Sequence, residues 1–316
     1  MSAAIVAKGL TKRYDDVAAV DALDLAVQRG ELFGFLGPNG AGKTTTIRMA
    51  LGLIHPSGGE VELLGERVRR DSAPLGKVGA LVEEPAFWKY LSGRKNLEYF
   101  ARAGSGRDRG GTRSRLARID EVLDTVGLGS AADKRVKAYS QGMRQRLGVG
   151  LALLGEPELL VLDEPTNGLD PAGMRDMRLL LRGLADGGTT IFVSSHLLAE
   201  VETMCDRVGV MAQGRIVADG PPGSLRGPSD RIRIEVDDMA RAILAIAGSP
   251  GVTIASSPPG SGGPGALVVT LAGGATAADL NAALVGAGVR VEALVPQRDT
   301  LEDVFLHLVE GADVPR

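Results

Sequence analysis

From Ile5 to about Ala218, short apolar runs alternate with segments whose apolar residues recur at helical spacing. Leu32 to Leu36, Val78 to Val82, Leu159 to Asp163 and the β-branched stretch Thr189 to Ser194 read as strands, while Asp176 to Ala185 reads as a helix. Strands that alternate with helices in this way predict an α/β architecture around a largely parallel core sheet. Before Gly30 the pattern differs, because Leu23, Leu25 and Val27 alternate with Asp24 and Ala26. That period of two predicts an antiparallel strand exposed on one side. A further apolar run, Leu147 to Leu154, follows YSQGM at residues 139 to 143, where Ser140 and Gly142 read as the start of a helix.

The pattern breaks twice. GSGRDRGGTRSR, Gly104 to Arg115, is glycine-rich, basic and aperiodic, and reads as a mobile surface loop between helices. DGPPGSLRGPSD, Asp219 to Asp230, crowds proline, glycine and serine together, which places a domain of residues 1–219 before a linker at 220–230. Beyond it, residues 231–316 restart as a separate pattern. Arg231 to Val236, Val252 to Ala255, Ala266 to Leu271 and Val289 to Val295 read as strands, and Met239 to Ile246 and Ala277 to Val285 as helices. Two β-α-β halves predict a small α+β unit of ferredoxin-like type. A final amphipathic helix carries Leu301, Val304, Phe305 and Leu308 on one face.

Composition narrows the classes. Of 316 residues, 44% are hydrophobic and 24% charged, the range of a globular chain long enough for two domains. The net charge of -3, from 36 basic and 39 acidic residues, provides no electrostatic footprint for nucleic acid or for an anionic membrane surface. No apolar run approaches the roughly 20 residues that span a bilayer, and the first residues lack the basic and apolar regions of a secretion signal. A cytosolic chain is expected, with any membrane contact made through another protein. The single cysteine, Cys205, fits a reducing compartment and reads as core filler.

The chemistry concentrates in two stretches. GPNGAGKTT comprises Gly37, Pro38, Asn39, Gly40, Ala41, Gly42, Lys43, Thr44 and Thr45, between an apolar strand and a helix. Its glycines let backbone N–H groups curl around phosphate oxygens, Lys43 reaches the terminal phosphates, and Thr44 is placed to hold a magnesium ion. In LLVLDEPT a strand ends in Asp163, a second candidate magnesium ligand, and Glu164 follows where it can polarise an attacking water. Adjacent acids of this kind favour hydrolysis over transfer to an acceptor, for which no pocket is legible. The glycine loop occurs once, so the chain carries one nucleotide loop of its own.

GPNGAGKTT, YSQGM, LLVLDEPTNGLD and SSHLLAE, in this order and spacing, resemble the ATP-binding subunits of ABC transporters over about Ala4 to Asp219. The resemblance implies a P-loop cassette with a parallel core sheet, an antiparallel β subdomain and a helical subdomain. It implies ATP and Mg2+ as cofactors. YSQGM would be the signature motif, with Ser140 and Gly142 meeting the terminal phosphate of ATP held by a second copy of the chain. Tyr14 would stack on adenine, His196 would bond the terminal phosphate, and Asp170 would lie in the loop that communicates across the dimer. The usual signature is LSGGQ, and here Tyr139, Gln141 and Met143 replace three of its residues. Glu83 stands where most members have a magnesium-reaching glutamine that also links to the membrane subunit. This variation is similar to bacitracin-type and lantibiotic-immunity exporters, and VPQRDTLEDVFLHLVE resembles the appended domain of daunorubicin-exporter-type ATPases. The implied function is an exporter's ATPase, acting on an integral-membrane permease in antibiotic or peptide efflux and lying peripherally on the inner membrane face. The alternatives are a soluble ABC ATPase acting on a partner such as the ribosome, and a non-hydrolysing nucleotide module. Phe87, Trp88 and Tyr90 read either as a docking surface or as packing of the helical subdomain, and His55 and His307 match no motif.

Overall fold

The computed structural model describes residues 3–69, 75–83, 86–103, 111–225, 231–256 and 265–297. The chain divides into two compact units at Pro222 and Gly223. In chain order the first contains β1 (Ala3–Tyr14), β2 (Val17–Gln28), β3 (Leu32–Leu36), α1 (Lys43–Ala50), β4 (Gly58–Leu63), β5 (Glu66–Arg67) and β6 (Val78–Leu81). There follow α2 (Gly93–Ala103), α3 (Gly111–Thr125), α4 (Gln141–Leu153), β7 (Leu159–Leu162), α5 (Pro171–Asp186), β8 (Thr190–Ser195), α6 (Leu198–Met204), β9 (Arg207–Ala212) and β10 (Arg215–Gly220).

The core sheet has the order β10-β9-β3-β8-β7-β6 and is parallel from β9 to β6, with β10 antiparallel on the edge. Its central strands are buried at every position of β3, β7 and β8, which is why they read as continuous apolar runs. Phe192 of β8 lies 5.7 Å from Phe33 and 5.2 Å from Phe35 of β3, ring centre to ring centre. Burying each such side chain contributes about 1.5–3 kcal/mol. The second sheet, β2-β1-β4-β5, is antiparallel, and β2 buries Leu23, Leu25 and Val27 while Asp24 faces out. This matches the one-sided strand expected from the sequence.

Helix α4 sits against the edge of the core sheet through Gly79 of β6, where an added Cβ would lie 2.3 Å from the Ala152 carbonyl oxygen. Only glycine permits that approach. One expectation fails here: Gly111 to Arg115, read as loop, form the first turns of α3. The helix-forming Arg115 to Leu123 stretch propagates back into a polar start that periodicity alone does not mark. The rest of that basic stretch, residues 104–110, lies outside the described residues, as do the final amphipathic helix and His307.

After a short helix α7 (Pro222–Leu225), which occupies part of the segment read as linker, the second unit runs β11 (Arg231–Val236), α8 (Met239–Ala247), β12 (Val252–Ser256), β13 (Gly265–Leu271), α9 (Ala277–Gly286) and β14 (Val291–Gln297). Its sheet has the order β12-β13-β11-β14, every pair antiparallel. Both helices bury an apolar stripe in one core with it, including Met239, Ala242, Ile246, Leu280 and Leu284. Asp238 caps α8, and Thr276 with Asp279 forms a capping box on α9.

Candidate active site

The glycine loop leaves the buried end of β3 and enters α1 at Lys43. Gly42, the N-cap, has φ 106°, and a Cβ there would meet the Ala19 carbonyl oxygen at 2.3 Å. The loop therefore needs glycine at this position twice over, for its backbone region and for space. Lys43 is buried, and its Nζ donates to the Gly37 carbonyl at 2.7 Å and the Pro38 carbonyl at 3.3 Å while lying 3.3 Å from Oε1 of Glu164. The ammonium thus sits between loop carbonyls and a carboxylate.

The β7 and β8 ends bring the acids to the same place. Asp163 is buried at the end of β7, and its amide donates to the Leu81 carbonyl of β6 at 2.8 Å. Thr44 Oγ1 donates to Asp163 Oδ2 at 2.8 Å, and Ser194 Oγ donates to Asp163 Oδ1 at 2.5 Å. Glu164 adopts a left-handed backbone, φ 49°, and its amide donates to Ser194 Oγ at 2.9 Å. Its second carboxylate oxygen lies 2.7 Å from Nδ1 of the exposed His196. Lys43, Thr44, Asp163, Glu164 and His196, far apart along the chain, form one cluster, its two parts joined through Ser194. Ser194 went unmarked in the sequence; the signal was a hydroxyl two positions before His196 at the end of a buried strand.

The donor set fits magnesium. A threonine hydroxyl and a carboxylate 2.8 Å apart are hard oxygen ligands, and Mg2+ takes one or two such groups along with phosphate and water. No group of three or more His, Cys, Asp or Glu suited to hold a metal occurs among the described residues. Glu83, a third candidate ligand, has φ 70° and an exposed carboxylate paired with Arg48 of α1. Tyr14 is half exposed at the end of β1, with Lys12 Nζ 5.1 Å from its ring centre.

The other candidate residues lie at two helix starts. Ser140 is the N-cap of α4, with an extended backbone, and its Oγ accepts from the Met143 amide at 3.2 Å. Tyr139 is buried with its hydroxyl donating to the Ala131 carbonyl at 2.7 Å, and Arg144 donates back to the Tyr139 carbonyl at 2.7 Å. Burial holds the Tyr139 hydroxyl's pKa above its usual value. Asp170 caps α5 by accepting from the Gly173 amide at 2.9 Å. The turn before it lies against α4: a Cβ on Gly142 would be 3.8 Å from Leu169 Cδ2. Of the aromatic trio, Phe87 packs edge-on to Phe100 at 6.1 Å; Trp88, though partly exposed, lies 5.3 Å from Phe100 and 5.6 Å from the exposed Tyr99, ring centre to ring centre, and Tyr90 is exposed.

Known proteins resemble the chain in sequence and in fold. The family described as ABC transporter matches residues 20–167. The bacitracin transport ATP-binding protein BcrA of Bacillus licheniformis is 37% identical over 327 residues, spanning 99% of this chain and 100% of that protein. The daunorubicin resistance ATP-binding protein DrrA3 of Streptomyces coeruleorubidus is 38% identical over 96% of this chain and 95% of its own length. Among solved structures, cbiO1 from Clostridium perfringens, part of the ABC transporter complex cbiONQ, superposes with TM-score 0.64 at 26% identity, covering 70% of this chain and 91% of that one. The ATP-binding cassette MJ0796, solved as a dimer in a post-hydrolysis state with ADP and Pi, has TM-score 0.61 at 23% identity over 69% of this chain and 98% of its own, a likeness of fold.

Proposed function

This chain belongs to the ABC transporter ATP-binding proteins and is an ATPase of that family, and we propose that it powers a separate membrane permease as one of two copies closed around two ATP molecules. The observation that carries the proposal is the single cluster in which Lys43 and His196 both meet Glu164 while Thr44 meets Asp163. The glycine loop from Gly37 to Thr45 cradles the phosphates, and Lys43 leaves its carbonyl partners for the terminal phosphate oxygens. Thr44 and Asp163 would hold Mg2+, which neutralises phosphate charge when bound, and Glu83 is a further ligand if Arg48 releases it. Glu164 takes a proton from water as the water oxygen bonds to the γ-phosphorus and the bond to the β-phosphate oxygen breaks; His196 orients Glu164 and contacts the γ-phosphate.

Ser140 and Gly142 would serve the partner copy's ATP, since a capped helix start presents N–H groups and a positive dipole end to an anion. Asp170, in the turn against α4, would relay between the two sites. Tyr14 would stack on adenine. The exposed Trp88 and Tyr99, ring centres 5.6 Å apart, would give the permease an aromatic docking face. We read the cargo as an antibiotic or peptide, the second unit as a ferredoxin-like accessory, and the position as the inner face of the membrane. No helix among the described residues is long and apolar enough to cross a membrane, which leaves the pathway to the permease. Action on the ribosome is not favoured: relatives matched along nearly the whole chain are transport and drug-resistance subunits.

Glu164→Gln tests the reading. It keeps the shape and removes the proton acceptor, so ATP binding should persist while turnover falls by about 10²–10⁴-fold. Hydrolysis near the parent rate would refute the assignment.

A further inference from the structure

One side chain outside these assignments holds both acids of the cluster. Ser194 is fully buried on β8, and its single hydroxyl donates to Asp163 Oδ1 at 2.5 Å while accepting from the Glu164 amide at 2.9 Å. The ladder between β7 and β8 ends at Leu162 and Val193. Beyond that point Glu164 has turned into the left-handed region, where a non-glycine residue is held only by its surroundings. The Ser194 hydroxyl replaces the missing ladder bond for the Glu164 amide. From the other side the Leu81 carbonyl takes the Asp163 amide, so the turn carrying both acids is gripped between β6 and β8. Because Ser194 occupies Oδ1 of Asp163, the other oxygen is the one turned to Thr44.

A serine that merely satisfied a buried strand end would need one partner. This one joins the acid read as a magnesium ligand to the backbone of the acid read as the base. We propose that Ser194 is a positioning residue for ATP hydrolysis, fixing which oxygen of Asp163 faces the metal and where the Glu164 carboxylate stands. The proposal rests on the reading of Glu164 as the proton acceptor. Carboxylates that hold metals are commonly tuned by such outer hydrogen bonds, whose loss lowers affinity or activity by about 10–100-fold.

The test compares Ser194→Ala, Ser194→Thr and the double variant Ser194→Ala with Glu164→Gln, each in the full chain and each checked by thermal melting. Ser194→Ala should bind ATP in EDTA like the parent, retain Mn2+ less well by electron paramagnetic resonance in the presence of ATP, and lose about 10–100-fold in kcat with KM for ATP little changed. Ser194→Thr, which keeps the hydroxyl, should recover most of the rate. In the Glu164→Gln background, Ser194→Ala should cost less turnover than it does in the parent, because only its hold on Asp163 is left to lose. A folded Ser194→Ala chain with parent kcat and Mn2+ binding overturns the proposal, as does an equally large loss in both backgrounds. If Ser194→Ala does not fold, Ser194→Cys, of similar size with a weaker donor, takes its place in the same comparison and must show the same loss. Parent-like turnover of Glu164→Gln alone would instead refute the assignment of the base.

Discussion

At the residue scale the site is a set of exchanged partners. Lys43 is held by the Gly37 and Pro38 carbonyls and by Glu164, partners that, on the proposed reading, it exchanges for a phosphate. The motif residues were legible because phosphate chemistry demands particular atoms at particular spacings, and Lys43, Thr44, Asp163, Glu164 and His196 do converge. Ser194 was not legible, since a serine among β-branched residues looks the same whether it faces solvent or two carboxyl-bearing neighbours. The Arg48 partner of Glu83 was hidden for a related reason: a surface arginine gives no sign in sequence of which acid it meets. Cys205 offers a clean check of packing at this scale. Burial first, and then the nearby Asp206, push its thiol pKa well above the usual value, and the thiolate is the reactive form. Iodoacetamide at mildly alkaline pH should leave Cys205 unmodified in the folded chain and alkylate it fully in urea; rapid native labelling by mass spectrometry would show that the α6 to β3 packing opens readily.

Helix starts are where elements meet function. Ser140 and Asp170 cap α4 and α5, so each has a structural job in addition to any role at a dimer interface. Replacing an N-cap by alanine costs about 0.5–2 kcal/mol, whereas Asp170→Asn keeps the acceptor. Asp170→Ala should therefore lower the thermal midpoint measurably while Asp170→Asn should not, and equal midpoints for all three chains by calorimetry would remove the capping role. Elements such as β3, β7 and β8 were legible because strands buried on both faces leave unbroken apolar runs. The start of α3 was not, because its first residues carry glycine and scattered charge and take their helical state from the turns C-terminal to them. The α4 helix was legible from its cap and its apolar run, but its closeness to the core sheet depends on Gly79, a contact no local pattern announces.

Across the whole molecule the phosphate motifs lie in the unit that ends at Pro222, and the second unit has a core of its own. A chain ending at Pro222 should bind ATP with parent affinity if its melting is cooperative; loss of binding in a folded truncation would show that the second unit completes the nucleotide site. The central claim concerns two copies, with each Ser140 serving the ATP held by the other chain's Gly37 to Thr45 loop. Ser140→Arg should bind nucleotide but not close, since bulk at the helix start blocks the phosphate from the N–H groups. Lys43→Ala should fail at the loop instead. Mixed dimers carry both lesions in one composite site and leave the other intact. The direct measurement is sizing chromatography of the equimolar mixture in ATP and magnesium. The account predicts an ATP-dependent dimer in the mixture that neither variant forms alone; a Ser140→Arg chain that dimerises like the parent, or a mixture that forms no dimer, would contradict it.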